Sequence, residues 1–146
     1  MLRDLISNLK IIDFLPPVTR VPGVVYTSKF DTRTSEVSVG GSREALTNML
    51  QAISVDDWGL GGSINIVIQH CATENGTYTT HSTVAQMLQS ESEDLFLAEF
   101  KDFNRWVRLA ITFAGAIVDV CIIGIGNCSR RAKVVQVGTE KAVTEA

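Results

Sequence analysis

The fold is decided by the stretch Trp106-Val107-Arg108-Leu109-Ala110-Ile111-Thr112-Phe113, with Ala114-Gly115-Ala116 and residues 117–125 behind it. The first run has the composition of a strand, the small residues that of a short turn, and the β-branched residues of 117–125 that of a returning strand. A hairpin this apolar needs a second sheet to bury its inner face. The stretch therefore predicts a two-sheet antiparallel β-sandwich.

Further strand signals lie upstream of this hairpin. Residues 24–39 are rich in Val, Thr, Tyr and Ser, and residues 63–70 alternate apolar and polar side chains. Asn75-Gly76 is a strong tight-turn signal before a returning strand at 77–80, and residues 95–100 predict one more strand. The sequence thus predicts a mainly β protein, Ig-like or jelly-roll-like, with its sandwich body at residues 23–128.

One segment of the predicted body favours a helix instead. Leu46, Met49, Leu50 and Ile53 follow the i, i+3, i+4, i+7 spacing, and Ser42 is a suitable N-cap. Local physics therefore predicts one short helix at residues 42–53.

The two ends differ from the body. Apolar residues at Leu2, Leu5, Ile6, Leu9 and Ile12 could make one amphipathic face, and all three prolines follow at positions 16, 17 and 22 and impose an extended path. Residues 1–22 are interpreted as an extended N-terminal arm laid over another surface; packing on its own domain is equally compatible with the pattern. Residues 129–146 are predicted to be a polar C-terminal tail, in which Val134, Val135 and Val137 could form one last strand.

Composition excludes several classes of protein. The chain has 146 residues, the length of one domain, with 45% hydrophobic residues and a net charge of −3. Its only dense basic cluster, Arg130, Arg131 and Lys133, is too short for a nucleic-acid site. The apolar run 114–126 is too short to span a bilayer, and charges within residues 1–15 argue against a signal peptide. We expect neither nucleic acid nor membrane as a partner.

The residues that could carry chemistry are few. Cys71, Cys121 and Cys128 show neither a disulfide framework nor zinc-ligand spacing, so reduced thiols in a protein made in a cytoplasm are expected. His70 and Cys71 are adjacent on a predicted strand and face opposite sides, while His81, across the Asn75-Gly76 turn, could pair with either. A histidine pair at the surface or edge is the favoured interpretation. We expect no catalytic residue, cofactor or metal site, and hence no enzyme.

The most distinctive constellation is Arg105-Trp106-Val107-Arg108. On a strand, Trp106 and Arg108 share one face and Arg105 shares the other with Val107. In a structural role Trp106 would cap the edge of the core, and the arginines would pair with acids such as Asp102 or Glu99. In a functional role, Arg and Trp are favoured anchors of protein interfaces.

Both ends of the sequence resemble a family of small tailed-phage proteins, often encoded near the major capsid gene. At the front the matching residues are Asp4-Leu5, Asn8-Leu9-Lys10 and Pro16; at the back they run from Arg105-Trp106-Val107-Arg108-Leu109 through Gly124 or Gly126 to Arg130-Arg131. Residues 64–78 are similar to that family's strand, polar turn and strand. The chain departs from the pattern at Trp106, where Tyr is usual, and at residues 42–53, where the family has a strand.

The resemblance implies a capsid decoration or cement protein, assembled in the bacterial cytoplasm and located on the virion surface. Its partner would be the major capsid protein, and it would form a homo-oligomer, by hypothesis a trimer around a local threefold axis. Another virion role (tail, head-completion or fibre base) and a carbohydrate-binding module using Tyr26, Trp58 and Tyr78 are the alternatives. The candidate interface residues are Leu5, Leu9, Ile12, Phe14, Pro16, Pro17, Arg105, Trp106 and Arg108.

Overall fold

The computed structural model describes residues 9–37, 43–46, 48–115, 118–127 and 139–146. These residues form strands and one 3₁₀ helix, Gln89–Glu91. The strands are β1 (Leu9–Arg20), β2 (Gly23–Tyr26), β3 (Phe30–Asp31), β4 (Arg33–Val37), β5 (Arg43–Ala45), β6 (Asn48–Trp58), β7 (Ser63–Cys71), β8 (Thr79–Val84), β9 (Met87–Leu88), β10 (Leu95–Lys101), β11 (Trp106–Ala114), β12 (Val118–Asn127), β13 (Thr139–Glu140) and β14 (Val143–Glu145).

The strands build two sheets that pack face to face. The first sheet has the order β1-β12-β6-β10-β13, and the second has the order β14-β8-β7-β11-β2, with β3 beside β11 and β9 beside β7. Strands β4 and β5 form a separate two-stranded ribbon. Neighbouring strands are antiparallel except for the short pair β10–β13. The predicted antiparallel β-sandwich is confirmed.

The core lies between the inner faces of the two sheets. Strand β11 shows the clearest alternation, with each second residue from Val107 to Phe113 buried and the residues between them half-buried. This period of two is the reason the segment forms a strand with one face in the core. The principal core side chains are Ile12, Phe14, Met49, Ile53, Ile64, Ile66, Ile68, Phe96, Phe100, Val107, Leu109, Ile111, Phe113 and Ile122.

The predicted hairpin of residues 106–125 is wrong in its pairing. Both strands exist, but β11 pairs with β7 and β2 in the second sheet, whereas β12 pairs with β1 and β6 in the first. The connection around Gly115 therefore crosses from one sheet to the other. The two apolar runs bury their side chains against each other across the core, which satisfies the same hydrophobic pattern as a hairpin would.

The helix predicted at residues 42–53 is also wrong. The described part of this segment forms β5 and the start of β6, in agreement with the strand that the family resemblance implies. Met49 and Ile53 share the inner face of β6, and Leu50 is buried on the opposite face. Pairing with β12 and β10 on both sides overrides the helical spacing, because burial in a central strand outweighs weak local propensity.

Gln51 is the polar exception on the inner face of β6. It is fully buried, and neither side-chain amide atom has a hydrogen-bond partner among the residues that the structure describes. Its cross-strand neighbours are Ala98 and Gly124, and the side chains of Phe14 and Met49 fill the space above Gly124. An unpaired buried amide lowers stability by about 1–3 kcal/mol.

The division into an arm at residues 1–22 and a body needs correction for the described part of the arm. Leu9–Arg20 is strand β1, paired along β12, so this stretch packs on its own domain. Ile12 and Phe14 are core residues, each 3% exposed, and cannot contact a partner. Pro16 and Pro17 are exposed on an edge strand, at a register shift between Leu15 and Val18 where neither has a partner residue in β12. Their missing N–H groups therefore cost no sheet hydrogen bond. The side chain of Leu9 is not described, and Leu5 lies outside the described residues.

The end of the predicted C-terminal tail is likewise part of the sandwich. Strand β13 joins β10 in the first sheet, and β14 joins β8 in the second. Between them, the N–H of Lys141 donates to the carbonyl of Leu97 and the carbonyl of Ala142 accepts from Ala85. Residues 139–146 therefore tie both sheets together, and the possible strand at Val134, Val135 and Val137 lies outside the described residues.

Candidate interaction surface

The predicted Arg-Trp-Val-Arg constellation lies at the start of β11, and part of it is on the outer face of the second sheet. Val107 is buried in the core, while Trp106 and Arg108 are half-buried on the opposite face, as the strand period predicts. Arg108 lies directly across from Gln69 of β7, and its Nε donates to Gln69 Oε1 at 2.7 Å. Two neighbouring strands thus fix the direction of this guanidinium.

Two buried threonines hold the segment after β2 against β11. The N–H of Leu109 donates to Thr27 Oγ1 at 2.9 Å, and the N–H of Thr27 donates to the Leu109 carbonyl at 2.9 Å. Thr32 makes two bonds to the carbonyl of Arg105, from its N–H at 2.7 Å and its hydroxyl at 2.6 Å. These bonds keep the short segment 27–32 on the sheet, and with it Tyr26 and Lys29.

Arg108 is held between two tyrosine rings that come from distant parts of the chain. Its guanidinium carbon is 4.9 Å from the ring centre of Tyr26 and 4.6 Å from that of Tyr78. Both distances fit cation–π contact. Tyr26 is 58% exposed, so the group is open to a partner.

Neighbouring polar groups orient Tyr78. Its hydroxyl donates to the carbonyl of Glu74 at 3.1 Å, and Lys29 Nζ lies 5.7 Å from its ring centre and donates to Asn75 Oδ1 at 3.2 Å. Burial, followed by the nearby Cys71, raises the pKa of Tyr78, and the Arg108 charge offsets only part of this shift. The Asn75-Gly76 turn therefore supplies part of the surface.

Arg105 is engaged within the chain. Its Nε and one terminal nitrogen donate to the two carboxylate oxygens of Asp31 at 3.0 and 2.8 Å, a bidentate pair. The partner is Asp31 of β3, not the predicted Asp102 or Glu99. Its guanidinium carbon is also 5.6 Å from the Trp106 ring centre. Because Arg105 precedes β11 and binds Asp31, the cross-strand partner of Trp106, its guanidinium lies beside Trp106 and not on the face of Val107 that the sequence predicted. We call the set Tyr26, Tyr78, Arg105, Trp106 and Arg108 the aromatic–arginine face.

The structure thus groups only some of the predicted interface residues. Arg105, Trp106 and Arg108 lie together, whereas Pro16 and Pro17 belong to β1 in the other sheet. Sequence reasoning named Tyr26 and Tyr78 only for a carbohydrate site and missed their contact with Arg108. In the sheet, Tyr26 is aligned with Ala110, and Arg108 is aligned with Gln69 of the strand that leads to Tyr78. The contacts could be predicted only if the pairing of these strands were known.

A histidine pair lies at one end of the second sheet. The rings of His70 and His81 are 4.9 Å apart, as the hairpin across Asn75-Gly76 allows, and His81 also contacts Phe100 and Phe103. His81 Nδ1 is 2.9 Å from Ser82 Oγ. Cys71 lies apart from the pair, with its Sγ beside Thr73.

The ring of His70 accepts a hydrogen bond that requires its neutral form. The N–H of Asn104 donates to His70 Nδ1 at 3.0 Å, which leaves the ring proton on Nε2. Burial lowers the pKa of His70, and the positive charge that His81 can carry lowers it further. Protonation at Nδ1 would break the bond to Asn104, immediately before the aromatic–arginine face.

We expect this bond to make stability depend on pH. Because the folded-state pKa of His70 lies below its unfolded value near 6.5, the unfolded chain binds more protons, and stability falls as pH drops through 6.5 towards the folded pKa. His70→Gln keeps an acceptor for Asn104 but cannot be protonated. Urea unfolding from pH 8 to pH 5 should show the variant gaining stability relative to the parent chain. A difference that is constant over this range would contradict the assignment.

Other candidate sites in the described ranges are weaker. No group of three or more His, Cys, Asp or Glu side chains there is arranged to hold a metal ion, and Cys71 and Cys121 are free thiols. An open cleft beside β10 and β14 is lined by Glu99, Lys101 and Lys141 among others, but Lys141 is already bound to Glu91 and to the carbonyl of Gln86. In the part of the chain that is described, no helix is long and apolar enough to cross a membrane.

The fold thus defines a β-sandwich protein with an exposed aromatic and basic surface on one sheet. No protein-family model and no curated protein matches the sequence. Among solved structures, the chain is similar to the CBM22-1–GH10 modules of Clostridium thermocellum xylanase 10B complexed with xylohexaose, with 12% identity and a TM-score of 0.40 over 85% of this chain and 30% of that one. It is also similar to Eiger TNF from S. frugiperda, with 13% identity and a TM-score of 0.32 over 84% of this chain and 99% of that one. The chain spans less than a third of the xylanase chain, and similarities this weak carry no functional argument.

Proposed function

We propose that the protein is a non-enzymatic structural component of a tailed-phage virion, a decoration or cement subunit that binds the outer surface of the major capsid protein lattice. The observation that carries the proposal is the aromatic–arginine face, with Arg108 held between Tyr26 and Tyr78 on an open sheet. Tyr, Trp and Arg are the residue types that dominate binding energy at protein interfaces. The resemblance of both chain ends to small phage proteins indicates what the partner is.

The sandwich suits such a role physically. Arg108 and Trp106 project from a strand with paired neighbours on both sides, so little conformational entropy is lost when they dock. A capsid lattice also presents many copies of one site, and simultaneous contacts raise modest affinities through effective concentration. Residues 1–8 and a trimeric assembly remain part of the proposal as further contacts.

Capsid binding is the direct test. The purified full chain should sediment with capsids assembled without it and reach a copy number comparable with that of the major capsid protein. We expect Trp106→Ala to reduce this binding, because it removes a large anchor from the face, while Leu60→Ala, at an exposed loop residue remote from it, should not. A chain that stays in the supernatant overturns the proposal. A copy number per particle that matches one connector or tail ring, and not the whole capsid lattice, would favour the tail or head-completion alternative.

A carbohydrate-binding role has less support from the geometry. Trp58, one of its three predicted aromatics, is half-buried at the end of β6, packs edge-to-face on Phe96 and donates its ring N–H to the carbonyl of Glu93. Arg108 covers one side of each of the other two rings. The three therefore do not form a single stacking platform for a sugar.

A further inference from the structure

Arg108 is oriented by its neighbours, and none of the described carboxylates forms an ion pair with it. Its Nε is committed to Gln69, and two tyrosine rings flank the guanidinium. In the described ranges its terminal nitrogens make no hydrogen bond, and no carboxylate pairs with it. The guanidinium thus keeps its paired terminal donors for a group outside the chain.

Arg105, which immediately precedes β11, provides the comparison. It is also half-buried, yet Asp31 satisfies its donors in a bidentate pair. Among the described residues, one arginine of the face therefore has a carboxylate partner and the other has none. This difference identifies Arg108 as the recognition group.

The charge around Arg108 indicates which ligand it takes. Lys29 and Arg108 both lie against the ring of Tyr78, and Asp31 is occupied by Arg105. The carboxylate of Glu74 adds to the upward pKa shift of Arg105, which is mainly due to Asp31, and to that of Tyr78, which is mainly due to burial. The region beside Arg108 thus keeps an excess of positive charge on a chain whose net charge is −3.

Docking a protein over this face would remove Arg108 from water. Burying an unpaired guanidinium is costly, whereas a carboxylate that meets its two terminal nitrogens restores the lost hydrogen bonds in a bidentate geometry. The rings of Tyr26 and Tyr78 form apolar walls that suit the methylene groups of an Asp or Glu side chain. Binding to a nucleic-acid backbone requires a larger cluster of cations. Here the cations are Lys29, Arg105 and Arg108, and the carboxylates of Asp31 and Glu74 lie among them.

We propose that Arg108, between Tyr26 and Tyr78, is a clamp for a surface carboxylate, an Asp or Glu side chain of the protein to which this chain docks. The inference rests on the proposed function for the identity of that protein. The clamp itself follows from the geometry of the face and can be tested without capsids.

The test is an NMR titration of the isotopically labelled full chain with a hexaglutamate peptide, using hexaglutamine and inorganic phosphate as comparison ligands. Hexaglutamate should shift the Nε–Hε signal of Arg108 and the ring signals of both tyrosines, and shift Arg105 less. Arg108→Lys keeps the charge but loses the bidentate fork, and we expect it to weaken binding about tenfold. The control Lys101→Gln removes an exposed cation from the other sheet and should leave the titration unchanged.

The outcomes separate the clamp from the proposed function. Equal shifts with hexaglutamine, equal binding of phosphate, or unchanged binding by Arg108→Lys would overturn the clamp. Selective hexaglutamate binding by a chain that does not bind capsids would support the clamp and reject the capsid role. Capsid binding that is insensitive to Arg108→Lys would leave the capsid role and reject the clamp.

Discussion

Deletion of residues 1–22 is expected to unfold the protein. The deletion removes β1, and with it Ile12, Phe14 and Leu15, which are each 3–4% exposed. Losing one large core side chain costs about 2–5 kcal/mol, so the loss of three approaches or exceeds the 5–15 kcal/mol by which a typical domain is stable. Far-UV circular dichroism and urea unfolding of the truncated chain should show no cooperative transition.

A shorter deletion is the matched control. Removing residues 1–8 leaves every described strand intact, and we expect a cooperative transition to remain. A native-like transition after removal of residues 1–22 would contradict the role of β1 in the core. Because the longer deletion is expected to destroy the fold, only the shorter one can test whether the N-terminal residues contact a capsid.

Strands β7 and β11 could be predicted from the sequence, because alternation and β-branched residues mark a strand with one face in the core. The apolar and aromatic residues of β10 indicated a strand with less regular alternation. The pairing of β11 with β12 could not. Two apolar strands joined by a short turn can pair side by side or face each other across a core, and both arrangements bury the same side chains. Contacts with the remote strand β7 decide between them.

The candidate site, too, could be predicted from the sequence only in part. The sequence identified Arg105, Trp106 and Arg108, and strand periodicity placed Trp106 and Arg108 on one face. It could not place Tyr26 and Tyr78 around Arg108, because those contacts depend on the register of β2 and β7 with β11 and on the turn after β7. Local patterns determine which side chains leave the core, whereas long-range pairing determines which of them meet.

A second large loss of stability is expected on substitution of Gly115, which follows β11 where the chain passes from one sheet to the other. This residue has φ +79°, and a Cβ there would lie 2.3 Å from the carbonyl oxygen of Gly61. That oxygen belongs to a loop fixed by the bond from the Gly62 N–H to the Gly59 carbonyl and by the bond from the Gln89 N–H to the Gly62 carbonyl. The neighbouring backbone cannot retreat without breaking these bonds.

Gly115→Ala should therefore lose stability through two separate causes. The left-handed backbone costs an alanine about 1–2 kcal/mol, and displacing the Gly61 backbone adds about 1–3 kcal/mol. Gly61→Ala is the matched control, because Gly61 has φ +69° with open space where its Cβ would stand, so only the first cost applies. Urea unfolding of both variants measures the difference directly. Equal losses of unfolding free energy in the two variants would contradict the close contact between Gly115 and the loop of residues 59–62.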